Sequence, residues 1–134
     1  MPERNSGITI SGTNNEASST ISQYRVAVLD TTAEDGIKLP AGANAGNIVG
    51  VAHSDIAAGE TGSLTVTGIE YVAVSEAVSI GDELVVADNT GKVKPKAAGA
   101  TAQGLGIVGR ALRAATADGD RVPCMLQIRN EYSS

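Results

Sequence analysis

Apolar and polar residues alternate with period two along much of the chain, the pattern of strands that bury one face. In Ser63-Leu64-Thr65-Val66-Thr67, Leu64 and Val66 fall on one face and the hydroxyl residues on the other. In the stretch Arg121 to Arg129, Val122, Cys124, Leu126 and Ile128 share a face opposite Arg121, Gln127 and Arg129. Further strands are predicted over 24–29, 48–52, 69–74, 83–87 and 92–96. The last two are joined by Asp88-Asn89-Thr90-Gly91, which reads as a hairpin loop with glycine at a positive φ. Helical character is confined to Arg110–Ala117. The fold class that follows is all-β: a small, compact, antiparallel, barrel-like domain with at most one short helix.

Residues 1–22 are rich in Ser, Thr, Asn and Gly and cannot fold alone. They are expected to form a flexible N-terminal arm, with one β domain over 23–134. Within the arm only Gly7-Ile8-Thr9-Ile10 has a strand pattern, which makes these four residues the candidates for a partner contact by strand addition to a sheet edge. Deleting residues 1–20 is then expected to leave the domain folded and to weaken partner binding.

An internal repeat organises the rest. Ile48-Val49-Gly50-Val51-Ala52 runs to Gly59-Glu60, and Ile107-Val108-Gly109-Arg110-Ala111 runs to Gly119-Asp120, one residue longer. A third glycine–acid pair, Gly81-Asp82, also precedes a strand. Glycine supplies a left-handed position at the end of a small loop, and the acid can accept backbone N–H groups where the next strand begins. These acids read as structural.

Composition sharpens the picture. A chain of 134 residues makes one domain. Only 2% of it is aromatic, with Tyr24, Tyr71 and Tyr132 and no Phe or Trp, so the core is built from Val, Ile, Leu and Ala. Its 16 glycines suit short strands and tight turns. The net charge of −5 repels a phosphate backbone and excludes nucleic acid as a favoured partner. No apolar run reaches membrane-span length and the N-terminus lacks the order of a signal peptide, so a soluble protein without a membrane partner is expected. One cysteine, Cys124, and one histidine, His53, exclude an intrachain disulfide and a Cys/His zinc cluster.

Candidate chemistry is sparse. Gly104-Leu105-Gly106-Ile107-Val108-Gly109 matches G-x-G-x-x-G, yet 97–103 is no strand and no helix long enough for a dinucleotide fold follows. Lys92, Lys94 and Lys96 alternate along one face beside Pro95, as on a solvated edge strand; the competing reading is contact with an acidic protein. His53-Ser54-Asp55 brings triad residue types together in sequence, which is not triad geometry, and His53 reads as a polar residue at a strand end. Cys124 reads as a small core residue. The carboxylates at 34, 35, 55, 82, 88, 118 and 120 are scattered over turns without a calcium-loop pattern. The expectation is no catalysis, no cofactor and no metal.

With the repeat in view, the chain resembles the capsid decoration, or cement, proteins of tailed bacteriophages. The matching residues are Gly46–Ala52 with Ile56–Glu60, then Gly68, Ile80–Leu84, Thr90–Lys92, Gly106–Leu112 and Ala117–Asp120, in that order and spacing over about 24–129. The resemblance implies a β-clip or β-tulip domain on the outer surface of an expanded phage head. It implies homotrimers at three-fold or quasi-three-fold positions that bind the major capsid protein and stabilise the shell. It also implies a virion protein made in the host cytoplasm, with an arm that becomes ordered against the capsid. The alternatives are a β-barrel ligand-binding module, a small barrel hydrolase, or another virion part such as a tail component.

Overall fold

The computed structural model describes residues 5–97 and 104–131. Among them there is no helix; the chain forms β1 (Asn5–Ser6), β2 (Thr9–Asn14), β3 (Val26–Leu29), β4 (Gly36–Lys38), β5 (Ile48–Ala52), β6 (Thr61–Thr65), β7 (Gly68–Ala73), β8 (Glu83–Val86), β9 (Val93–Pro95), β10 (Leu105–Ala111) and β11 (Arg121–Glu131). Strands β2-β4-β3-β5-β6 close a barrel, and β1-β7-β11-β10-β8-β9 form a six-stranded sheet. All named pairings are antiparallel except β2 with β4. The expected all-β, barrel-like fold is the one observed.

The sequence repeat is a repeat of architecture. In the first half Ile21 bridges Ile56; in the second, Val78 bridges Ala115. The chain turns soon after each bridge, with the first carbonyl of the turn accepting the fourth N–H: Ser22 from Arg25, Ala57 from Glu60, Ser79 from Asp82 and Ala117 from Asp120. The parallel contact of β2 with β4 also has its counterpart, a parallel bridge from Val74 to Val93 that curls the sheet back on itself. Ile21, Ala27, Ala52, Ile56 and Leu64 pack together in the first half. The residues in matching places, Val78, Leu84, Ala111, Ala115 and Cys124, lie in the larger core, which the first half enters through Val26, Val28, Ile48 and Val51. A closed barrel and a curled six-stranded sheet thus pack together, the first half keeping a small core of its own while contributing to the larger one.

Three expectations change. Arg110–Ala117 is no helix: Arg110 and Ala111 end β10, and Ala115 exchanges N–H and C=O bonds with Val78. An eight-residue helix is marginal on its own, and here its backbone groups are taken laterally by neighbouring strands. The strand predicted from Tyr24 begins at Val26, because Tyr24 lies in a turn with φ 70°. Thr65, expected on the outer face, is fully buried and its hydroxyl donates to Glu70.

Residues 9–14, expected within an arm, form β2 and pair with β6 from Thr9↔Thr65 to Thr13↔Thr61. Asn14 anchors the end of this strand: it is fully buried, its Nδ2 donates to the Ser19 and Ile56 carbonyls, and its N–H donates to the Glu60 carbonyl. Deleting residues 1–20 would therefore remove a barrel strand and its buried anchor.

Candidate functional site

Gly7, Ile8, Thr9 and Ile10 run along the end of β6 and the Val66–Thr67 connection that joins the two halves. The Gly7 N–H donates to the Thr67 carbonyl, the Ile8 N–H to the Thr67 hydroxyl at 2.9 Å, and the Val66 N–H to the Ile8 carbonyl. Backbone pairing holds the segment while its side chains stay out: Ile8 is 59% exposed and Ile10 42%. A strand with two outward isoleucines, continued by β1 at the end of the six-stranded sheet, offers protein-interface chemistry.

From Leu105 on, the glycine motif is strand β10, set between β11 and β8 with no helix after it, and Gly104 lies in the turn before it. Its glycines serve packing. A Cβ at Gly106 would lie 2.4 Å from the Ala45 carbonyl, and one at Gly109 2.1 Å from the Met125 carbonyl. This is no phosphate cradle, whose glycines lie in a loop opening a helix.

His53, Ser54 and Asp55 are not drawn into a triad. His53 Nδ1 lies 3.2 Å from Glu70, which also accepts from Thr65 and from the Tyr71 N–H, while Asp55 accepts the Gln23 N–H at 2.7 Å. Burial pushes the Cys124 thiol up to about 12, which keeps it protonated and inert as a core residue. Among the described residues no group of three or more His, Cys, Asp or Glu is placed to hold a metal ion, and no helix is long and apolar enough to cross a membrane. An open depression of about 490 Å³ lies beside Glu16, Lys38, Asn89 and Thr90, where the Glu16 carboxylate accepts the Leu39 N–H.

The lysine strand ends the sheet order, but Val74 and Ser75 contact Val93 on its other side, so the expected solvated edge is partly covered and two of its cations are engaged. Lys92 meets Asp118 at 2.7 Å, and Lys96 meets Glu131 at 2.6 Å, holding that carboxyl below its usual range. The hairpin before it forms as read: Asp88 accepts from the Thr90 N–H and hydroxyl, and Gly91 has φ 84°.

One cluster escaped the sequence reading. The Tyr24 and Tyr71 rings meet edge to face at 6.0 Å, and the Arg121 guanidinium lies 4.8 Å from the Tyr24 ring centre. The signal for it was the repeat: Ser22-Gln23-Tyr24-Arg25 aligns with Ser79-Ile80-Gly81-Asp82, and puts tyrosine where glycine is expected.

The chain was compared with known families, curated proteins and solved structures. A family model described as phage cement protein matches residues 13–126. No curated protein matches. Among solved structures, the N base of head fiber gp8.5 from bacteriophage phi29 is similar at a TM-score of 0.66 and 18% identity, covering 95% of this chain and 98% of that one. At that identity the likeness is one of fold.

Proposed function

The chain belongs to the phage cement protein family and is a structural protein of the phage head, and from that premise we propose that it binds the outer surface of the expanded capsid and reinforces the shell. The family match across most of the chain carries this reading. The partner is the major capsid protein, and the protein acts as a homotrimer at three-fold or quasi-three-fold positions. It performs no catalysis; rigidity is what the role requires, and a barrel packed on a six-stranded sheet, with both halves contributing to the larger core, supplies it.

Gly7, Ile8, Thr9 and Ile10 contribute to the shell contact. Their backbone pairs within the subunit, leaving Ile8 and Ile10 to be buried on binding. Burying a large aliphatic side chain is worth about 1.5–3 kcal/mol. Repeated over linked sites, such modest contacts give high avidity.

The test is co-sedimentation of the purified protein with heads of its phage before and after expansion, counting bound copies per capsid protein. Saturable binding to expanded heads at a ratio set by the lattice is the expected result. Binding to neither form would overturn the reading. The double substitution Ile8→Ser and Ile10→Ser, which leaves β2 and its Asn14 anchor in place, is expected to weaken binding; unchanged binding would remove this segment from the contact.

A further inference from the structure

The four turns of the repeat share one backbone requirement. Gly59, Gly81 and Gly119 hold the third position with φ of 81°, 88° and 91°, and the fourth turn holds Tyr24 there at 70°. A residue with a Cβ in this region is strained, and strain retained in a folded protein calls for an account of what it sustains. The Tyr24 backbone donates to the Ala52 carbonyl and accepts the Ala73 N–H, bonds that do not require a ring. What tyrosine adds is the ring itself, laid against Tyr71 and Arg121 at the surface.

The sheet continues this surface. On β11, Val122, Cys124 and Leu126 point into the core, so Arg121, Met125 and Arg129 point out, and pairing puts Ile69 and Arg110 beside Met125. Met125 is 43% exposed. Glu83 is shared by Arg110 and Arg129, whereas Arg121 makes no ion pair among the described residues. Three guanidinium groups therefore face outward, with Glu83 between Arg110 and Arg129 and Glu131 beside Arg129, which leaves an excess of positive charge here on a chain whose net charge is −5. Tyrosine, methionine and arginine are the residue types that concentrate in protein interfaces, and a basic field on an acidic molecule selects its partner by complementarity.

We propose that the outer face of β7, β11 and β10, centred on Tyr24, Tyr71, Arg121 and Met125, docks onto an acidic surface of the capsid shell. This rests on the reading of the protein as a capsid-binding one and names the surface it uses. Arg121 supplies the charge, and the tyrosine pair and Met125 supply the apolar contact.

The test compares the parent, Arg121→Glu and Met125→Glu in co-sedimentation with expanded heads at two salt concentrations, with thermal melting and sedimentation velocity on each free protein. Both variants alter exposed side chains and are expected to melt within a few degrees of the parent. At low salt Arg121→Glu is expected to bind at least tenfold more weakly, with a smaller salt dependence than the parent, and Met125→Glu to lose affinity as well. Parent-like binding by both variants would overturn the surface while leaving the capsid role intact; failure of the parent itself to bind would instead remove the premise. Loss of self-association in both variants, with head binding per subunit unchanged, would assign the face to contacts between copies and overturn the proposal.

Discussion

Tyr24 and Gly81 hold the third position of matching turns in the two halves of the molecule, both with a left-handed backbone, at φ 70° and 88°. The same turn is thus made once with strain and once without. Gly81 has no atom within 4 Å of where a Cβ would stand, so its φ alone is what a substitution there would test.

Replacing Gly81 with alanine should accordingly cost about 1 kcal/mol, the backbone cost of a Cβ at positive φ. At position 24 the ring and the strain separate: Tyr24→Ala loses the ring and keeps the strain, whereas Tyr24→Gly loses both. Tyr24→Gly is expected to be more stable than Tyr24→Ala by about 1 kcal/mol. Urea denaturation of the three variants measures these differences, and equal stability of the two position-24 variants would show that the backbone there is unstrained.

Gly109→Ala should behave quite differently from Gly81→Ala. A Cβ at 109 would meet the Met125 carbonyl at 2.1 Å and the Cys124 sulfur at 2.9 Å, so β10 and β11 could not keep their spacing. The expected loss is about 3 kcal/mol or more. A denaturation midpoint close to that of Gly81→Ala would mean that the two strands adjust at little cost.

The Asp30 carboxyl should give the fold a distinct acid dependence. Hydrogen bonds from the Thr32 hydroxyl, the Asn15 amide and the Thr32 N–H, aided by Lys38, hold it down to about 2 against an ordinary value of 3.8. Because the folded value lies below the unfolded one, this contribution is complete above the ordinary value and fades as pH falls through about 2. Asp30→Asn is therefore expected to be less stable than the parent at pH 7, with the gap closing as the pH approaches 2. Melting curves across that range decide it; a gap independent of pH would assign the loss to altered hydrogen bonding alone.

The all-β class, the face of β11 that carries Val122, Cys124 and Leu126, the Asp88–Gly91 hairpin and the glycine–acid turns were legible in the sequence. Each depends on local chemistry: side chains alternate along a strand whatever it pairs with, and positive φ favours glycine wherever a turn falls. The capsid-family resemblance was legible for the same reason, being carried by the order and spacing of those turns. The place of residues 9–14 was not legible, because β2 gains its worth from the β6 edge and from the pocket that receives Asn14, both supplied by residues distant in the chain. Arg110–Ala117 likewise has modest helical character that lateral bonds to Val78 and Pro123 override. The cluster of Tyr24, Tyr71 and Arg121 exists only after folding brings a turn, β7 and β11 together. Sequence by itself determined the strands and their turns, since these follow from each residue and its near neighbours; tertiary structure decided which edges pair and which side chains meet, since those energies arise between segments that the chain joins only through its folded core.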